Sequence, residues 1–133
     1  MPTKDRVVSI HPYFRVSEGK LGEFRSLCEQ FLSKTAHEPK CLYYGFSFNG
    51  DHVHCREAYE DAEGLLAHLA NINDLLQEAL KIAEITRLEI HGTAEEVAKL
   101  TGPLSTLGPS YFTLEYGMRR EVPGETITPT FRT

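Results

Sequence analysis

The residues best suited to chemistry lie in one short stretch, Asp51 to Leu69, which reads D-H-V-H-C-R-E-A-Y-E-D-A-E-G-L-L-A-H-L. His54 and Arg56 stand two residues apart in it, and His68 follows among leucines. Histidine, with an unperturbed pKa of about 6.5, can accept or donate a proton at neutral pH. Arginine can hold a carboxylate or enolate oxygen. The stretch therefore predicts proton transfer beside an apolar wall, as in a small-molecule site.

The hydrophobic pattern predicts the elements that must position these residues. Four strands are predicted at Arg6 to Ile10, Leu42 to Phe48, His52 to Tyr59 and Ile85 to His91. A helix with an apolar stripe from Leu21 to Leu32 follows the first strand, and a second helix begins after the capping residue Asp61. Pro12 is expected to weaken pairing of the first strand. The order βαββαβ predicts an α+β, ferredoxin-like fold, with a four-stranded antiparallel sheet and two helices on one face.

The remainder of the chain predicts an extension on this core. Thr93 to Glu96 fits a capping box, so a short helix is expected over residues 94–100. Tyr111 to Met118 has the pattern of a fifth strand. We therefore expect one domain over residues 1–121, with a C-terminal extension from about residue 93. Residues 122–133, rich in Pro and Thr, are expected to form an extended arm.

The hairpin at Asn49-Gly50-Asp51 decides which side chains share a face of the sheet. A two-residue loop puts even positions of the second strand on the same face as odd positions of the third. One face then collects Leu42, Tyr44, Phe46, Phe48, Val53, Cys55, Glu57 and Tyr59, and the other collects Tyr43, Gly45, Ser47, His52, His54 and Arg56. His11 and His91, on the first and fourth strands, join the second face. The apolar face is expected beneath the helices, and a second copy could cover the polar one.

Each candidate residue has a structural interpretation beside the functional one. His68 is either a core histidine bonded to a backbone carbonyl or to Glu57, or a proton donor or base in a pocket. His54 and Arg56 are either a solvated or interface pair, or a catalytic pair. The aromatic side chains Tyr44, Phe46, Phe48 and Tyr59 form either ordinary core or a pocket wall. Three histidines on adjacent strands could bind a metal, but no local ligand motif supports this, and no metal is expected.

Composition excludes several classes of function. The net charge is −5, so a general nucleic-acid binder is not indicated. No apolar run is long enough to cross a membrane, and the first residues do not form a signal sequence. The three cysteines show no Cys-x-x-Cys spacing, which predicts free thiols and a reducing, cytoplasmic location.

Several short motifs together resemble the antibiotic biosynthesis monooxygenase family of the dimeric α/β barrel superfamily. They are the Glu18-Gly19-Lys20 turn, Thr35 with Glu38-Pro39, the start of the second strand at Cys41-Leu42-Tyr43-Tyr44, and Glu57-Ala58-Tyr59 followed by Asp61 and His68. The resemblance covers roughly residues 5 to 92. It implies a homodimer and an oxygenase that needs neither metal nor flavin. The chain departs from several active members because it has no Trp, and Tyr59 stands at the aromatic position that ends the strand.

The sequence therefore predicts a cofactor-independent monooxygenase of a small phenolic or quinol compound. His54, His68, Arg56 and Tyr59 are the expected catalytic residues, and the expected substrate-binding residues are His11, His91, Tyr44, Phe46 and Glu57. Two alternatives stay open: a dimeric binding protein without catalysis, and a lyase or isomerase of a small carbonyl compound. The ligand site is expected either between sheet and helices or inside the dimer.

Overall fold

The computed structural model describes residues 2–120 as a five-stranded sheet with its helices packed on one face. In chain order the elements are β1 (Val8–Val16), α1 (Leu21–Thr35), β2 (Cys41–Asn49), β3 (His52–Tyr59), α2 (Ala62–Ala79), β4 (Ala83–Gly92), α3 (Ala94–Ala98), a 3-10 helix (Ser105–Leu107) and β5 (Ser110–Thr113). The strand order is β2-β3-β1-β4-β5. The first four strands are antiparallel neighbours, as predicted, whereas β5 adds a parallel edge strand beside β4. The predicted arm at 122–133 lies outside the described residues.

The hairpin between β2 and β3 has the predicted two-residue loop. Asn49 pairs with His52 across it, and Gly50 takes the left-handed conformation with φ 61°. The predicted division into two faces is therefore confirmed along the hairpin, except at Leu42. A bulge between Cys41 and Tyr43 makes Leu42 the extra residue, and its side chain is 44% exposed instead of buried.

Strand β1 runs on through Pro12 to Val16, beyond the predicted end at Ile10. Its pairing with β3 lapses between Ile10 and Tyr13, as expected beside a residue that has no N–H to donate. Pairing with β4 continues, with Pro12 opposite Leu88. The inner face of β1 is therefore one continuous buried surface under the helices.

The core between sheet and helices forms two clusters. One gathers around the aromatic rings of Phe14, Phe24 and Phe31, and the other around Leu65 and Ile90. Each such side chain contributes about 1.5–3 kcal/mol when fully buried. The clusters hold α1 and α2 against the inner face of the sheet, and this packing determines how deeply each side chain of that face is buried.

Helix α2 begins as predicted, because the Asp61 side chain accepts a hydrogen bond from the Gly64 N–H at 2.9 Å. The predicted capping box at α3 is wrong: Thr93 occupies the N-cap position but makes no side-chain cap bond. Glu96 is instead buried and accepts hydrogen bonds from the Ala62 N–H at 3.0 Å and the Lys99 ammonium at 2.8 Å. The carboxylate thus joins the extension to the positive end of α2.

The rest of the extension packs closely on the core. Leu100 and Leu104 are buried in the cluster around Ile90. The N–H of Leu114 donates to the carbonyl of Gly92 at 2.7 Å, which holds the segment after β5 against the end of β4. Residues 93–114 therefore pack against the sheet and helices of the core.

No helix within residues 2–120 is both long and apolar enough to span a membrane. All three cysteines of the chain are free thiols, as predicted.

Candidate active site

His68 lies on the buried face of α2 between two carboxylates. Its Nδ1 is 2.9 Å from Oε2 of Glu38, and its Nε2 is 3.3 Å from Oε1 of Glu57. Only 2% of the His68 side chain is exposed, against 10% for Glu38 and 5% for Glu57. Glu57 therefore points inward, as predicted, and of the alternatives left open it is the pairing with His68 that the structure shows.

The geometry sets where the protons of this trio can lie. When the Nδ1–H of His68 donates to Glu38, Nε2 presents a lone pair to Oε1 of Glu57 at 3.3 Å, so one proton can lie between these two atoms. That proton can lie on either atom. The Glu57–His68 pair can therefore give up or take up a proton without rearranging its heavy atoms.

Burial shifts both members of the pair toward their neutral forms. Desolvation raises the pKa of Glu57 to about 7, although hydrogen bonds from Tyr59 and Cys55 act in the opposite direction. Desolvation also lowers the pKa of His68, against the attraction of the Glu38 carboxylate. A carboxyl group that titrates near neutrality is suited to general acid–base work at cellular pH.

Tyr59 supports the pair but lies behind it. Its hydroxyl donates to Oε1 of Glu57 at 2.7 Å, and its ring contacts the His68 ring with 5.0 Å between centroids. Burial raises the pKa of the Tyr59 hydroxyl, so this group stays a hydrogen-bond donor at neutral pH. Tyr59, predicted as catalytic, is fully buried and does not line the cavity described below. Its position is that of a residue that acts through Glu57.

Glu38 was not among the predicted site residues, although Glu38-Pro39 carries part of the family resemblance. It lies in the connection from α1 to β2, where its N–H donates to the carbonyl of Thr35 at 2.9 Å. Asn71 donates to Oε2 of Glu38 at 2.8 Å. His68 and Asn71 are three residues apart on one face of α2, so both side chains reach the carboxylate of Glu38.

A cavity of about 50 Å³ opens beside the pair, between the sheet and the helices. Its polar groups are few: Glu57 and His68, with Tyr44 and Cys55 beside them. Apolar side chains form the rest of its wall, among them Phe31, Phe46, Leu69, Ile72, Ile85 and Leu88. Tyr44, Phe46 and Glu57, predicted as substrate-binding, therefore all line one cavity with His68. The arrangement suits a small apolar molecule that presents a single polar group.

The other predicted residues meet on the opposite face of the sheet. Nδ1 of His11 is 3.3 Å from Nε2 of His54, and the His11 and His91 rings lie 5.0 Å apart between centroids. His91 Nε2 is 3.0 Å from Oε1 of Glu89, whose pKa is lowered by this hydrogen bond. We call His11, His54, His91 and Glu89 the outer histidine cluster. None of them lines the cavity.

The outer face gives its side chains a different environment. Desolvation by their neighbours lowers the pKa of His11 and of His54, and the charges of His91 and His54 lower the pKa of His11 further. Arg56 is exposed, with its guanidinium 5.4 Å from the centre of the Tyr43 ring. Across residues 2–120, no group of three or more His, Cys, Asp or Glu side chains is arranged to hold a metal ion.

Comparison with solved structures defines the class of fold. A structure described as an antibiotic biosynthesis monooxygenase matches with a TM-score of 0.56 and 17% identity, over 62% of this chain and 92% of its own. A variant of SnoaB, a cofactor-independent oxygenase from Streptomyces nogalater, matches with a TM-score of 0.55 and 13% identity, over 64% of this chain and 88% of its own. The fold is therefore that of the antibiotic biosynthesis monooxygenases, which confirms the predicted resemblance.

A more similar structure gives the family. The crystal structure of MupZ from Pseudomonas fluorescens shares 48% identity with a TM-score of 0.86, over 90% of this chain and 94% of its own. This chain belongs to the same family as MupZ. Comparisons with protein-family models and with curated protein sequences gave no match.

Proposed function

We propose that this chain is an acid–base enzyme whose Glu57–His68 pair moves a proton on a small, mainly apolar molecule. The observation that carries the proposal is the position of this pair: it lies at the wall of an otherwise apolar cavity, with the pKa of Glu57 near 7. A buried carboxylate without such a role is costly, and apolar side chains of similar volume would serve packing better.

The first step is removal of a proton from a phenolic O–H, or from a C–H beside a carbonyl group. In the form of the pair that lacks a proton between Oε1 of Glu57 and Nε2 of His68, the substrate proton is accepted there, and Glu38 stabilises the positive charge that develops on the imidazole. The phenolate or carbanion that remains lies in an apolar environment. General acid–base catalysis of this kind contributes typically 10²–10⁴-fold to a rate.

Monooxygenation is the reaction class that we assign first. The fold neighbours named as an antibiotic biosynthesis monooxygenase and as a cofactor-independent oxygenase support it. In such a reaction the carbanion gives its electrons to dioxygen, and a CH₂ group of the substrate becomes a carbonyl. One oxygen atom enters the product, and the other leaves as water with the two hydrogens of the substrate.

A lyase or isomerase reaction on a small carbonyl compound is the second candidate. It is favoured by the trio itself, because a group that both accepts and returns one proton suffices for enolisation without an oxidant. In this case the shared proton goes back to the substrate at another atom, and dioxygen plays no part.

One experiment separates these reactions. The purified protein is incubated with a panel of phenols, anthrols, quinols and enolisable ketones, in air and under anaerobic conditions, and the products are identified by mass spectrometry. Monooxygenation predicts oxygen uptake and products that carry label from ¹⁸O₂ in air alone. Enolisation predicts exchange of substrate hydrogen with D₂O in both atmospheres. A ligand that binds in the cavity but returns unchanged, without exchange, contradicts catalysis and favours the binding protein.

We further propose that the outer face is the contact between two copies of the chain. The exposed rings of Tyr43 and Phe112 lie on it, and Phe112 stacks on His91 with 4.7 Å between centroids. Covering such a face removes apolar surface from water. Light scattering at micromolar concentration should give twice the mass of the chain. Phe112→Asp should reduce this mass, whereas Leu80→Asp, at the C-cap of α2 and outside the face, should leave it unchanged.

We also propose a cytoplasmic location, which the three free thiols support, because a reducing compartment keeps cysteines free.

A further inference from the structure

Leu107 is unlike the other side chains that line the cavity. The described lining residues contributed by the sheet and by the two long helices are all buried or half-buried. Leu107, from the 3-10 helix of the C-terminal extension, lines the same cavity and is 39% exposed. Since one side chain faces both the cavity and solvent, Leu107 stands where the cavity meets the surface.

The segment that carries Leu107 lies between two anchored positions, the buried Leu104 before it and β5, which pairs with β4 from Ser110. Leu104 is buried, and its N–H donates to the carbonyl of Leu100 at 2.9 Å. Leu107 follows one turn later, and its N–H donates to the carbonyl of Leu104 at 3.0 Å. Gly108 then ends the turn in the left-handed conformation with φ 60°. Rotation of the partly exposed Leu107 side chain therefore requires no movement of the Leu104 side chain.

The size of the cavity shows that something must move before a substrate binds. Its volume is about 50 Å³. A cavity of about 150 Å³ is what holds benzene in an otherwise close-packed protein. The strands and long helices around the cavity are fixed by both core clusters and by the sheet. The part of the cavity wall that can move with the least loss of packing is therefore the partly exposed side chain of Leu107.

We propose that Leu107 closes the cavity and determines the size of substrate that reaches Glu57. Opening moves the Leu107 side chain toward solvent and joins the cavity to bulk water, and a larger residue at this position excludes larger substrates. The proposal deepens the proposed function, because it takes the cavity as the substrate site. The closing of the cavity by Leu107 can nevertheless be tested without any substrate.

The cavity contains its own reporter, the thiol of Cys55, which lines it and is 1% exposed. Cys28 is also buried, at 7% exposed, but does not line the cavity. Burial raises the pKa of both thiols, so both react slowly in the closed protein. Labelling by N-ethylmaleimide, followed by peptide mass spectrometry, measures access to each thiol separately. Cys28 then reports any general unfolding.

Leu107→Ala should speed labelling of Cys55 by about tenfold, the factor that corresponds to ~1.4 kcal/mol. Labelling of Cys28 should stay unchanged. Leu107→Trp should slow labelling of Cys55 below the rate of the parent. Leu80→Ala is the matched control, because Leu80 is equally exposed at 39% but does not line the cavity. It should label like the parent.

Equal Cys55 rates in the parent, Leu107→Ala and Leu107→Trp overturn the proposal, and so does a parallel rise of Cys28 and Cys55 labelling in Leu107→Ala. Binding of phenol, 1-naphthol and 1-anthrol, measured by protein-detected NMR, then tests the size limit. Leu107→Ala should favour 1-anthrol over phenol relative to the parent, and an unchanged ratio contradicts a role in specificity. These readouts hold whether or not the protein turns over a substrate, so their failure is distinct from failure of the proposed reaction.

Discussion

Strand β3 presents acid–base groups on both of its faces, and the two faces differ in what surrounds those groups. On the inner face, Glu57 meets His68 under two helices, with Tyr59 and Glu38 holding the pair in place. On the outer face, His54 meets His11 on a surface that no element of the described chain covers.

The two carboxyl groups of Glu57 and Glu89 are both little exposed, and the difference lies in the charged side chains around each of them. Burial raises the pKa of Glu57 to about 7 and places it against a cavity. Glu89, on the outer face, has its pKa lowered by the His91 hydrogen bond and remains an ordinary carboxylate. A carboxyl group therefore has a raised pKa here where apolar side chains surround it, and a lowered pKa where cationic side chains contact it.

The largest effect expected is on turnover. Glu57→Gln keeps the shape of the side chain but removes the shared proton, so the rate with any substrate found in the panel should fall by about 10²–10⁴-fold. His54→Gln is the matched change on the outer face, and it should alter the rate by less than about twofold. A larger loss in His54→Gln than in Glu57→Gln would move the active site to the outer face.

A second effect concerns stability against pH. The folded-state pKa of Glu57 is raised from 4.5 to about 7, so its contribution to stability is complete below pH 4.5 and is lost as pH rises through about 7. Above about pH 7 the parent has lost this contribution, whereas Glu57→Gln has no carboxyl group to ionise. The free energy of unfolding of Glu57→Gln minus that of the parent should therefore be about 3 kcal/mol larger above pH 7 than at pH 4.5. Urea unfolding at a series of pH values measures it. If the stability of the two proteins changed with pH in parallel, the raised pKa of the buried Glu57 carboxyl group would be contradicted.

Glu38→Gln should have an intermediate effect, because Glu38 orients His68 without touching the cavity. The rate should fall about 10-fold to 100-fold, as for other residues that orient a functional histidine. The pKa of His68 should fall further, since the Glu38 carboxylate raises it. Histidine ring NMR in the parent and the variant measures this shift. An unchanged His68 titration would show that Glu38 serves packing alone.

Tyr59→Phe should have a smaller effect still. Loss of the hydroxyl removes one buried hydrogen bond, which is worth about 1 kcal/mol of stability. It should also raise the pKa of Glu57, because the Tyr59 hydrogen bond lowers it. Tyr116→Phe, at a ring that is 84% exposed, provides the control and should change neither quantity. Equal stability of the two variants would argue against the Tyr59–Glu57 bond.

The residues on the inner face of the sheet could be predicted from the sequence, because strand alternation and the turn between β2 and β3 determine the direction of their side chains. The two-residue loop at Gly50 places Glu57 inward, and the helical period of α2 places His68 above it. The fold followed from the same patterns, because the order of strands and helices leaves few topologies.

Other features depend on contacts between distant segments, which local patterns do not contain. Glu38 reaches His68 from a connection whose path is set only when α1 packs on α2. Leu42 is exposed because of a bulge in β2. Glu96 does not form a capping box with Thr93, because its carboxylate accepts a hydrogen bond from the Ala62 N–H at the start of α2. Leu107 reaches the cavity only because the extension folds back on β4.

The most direct test of the buried acid–base pair is a ¹³C-NMR titration of the glutamate side-chain carboxyls, with Glu57→Gln used to assign the Glu57 signal. The structure predicts a midpoint at about pH 7, shifted in Tyr59→Phe. A midpoint near 4.5, the ordinary value for this group, would contradict the proposed site.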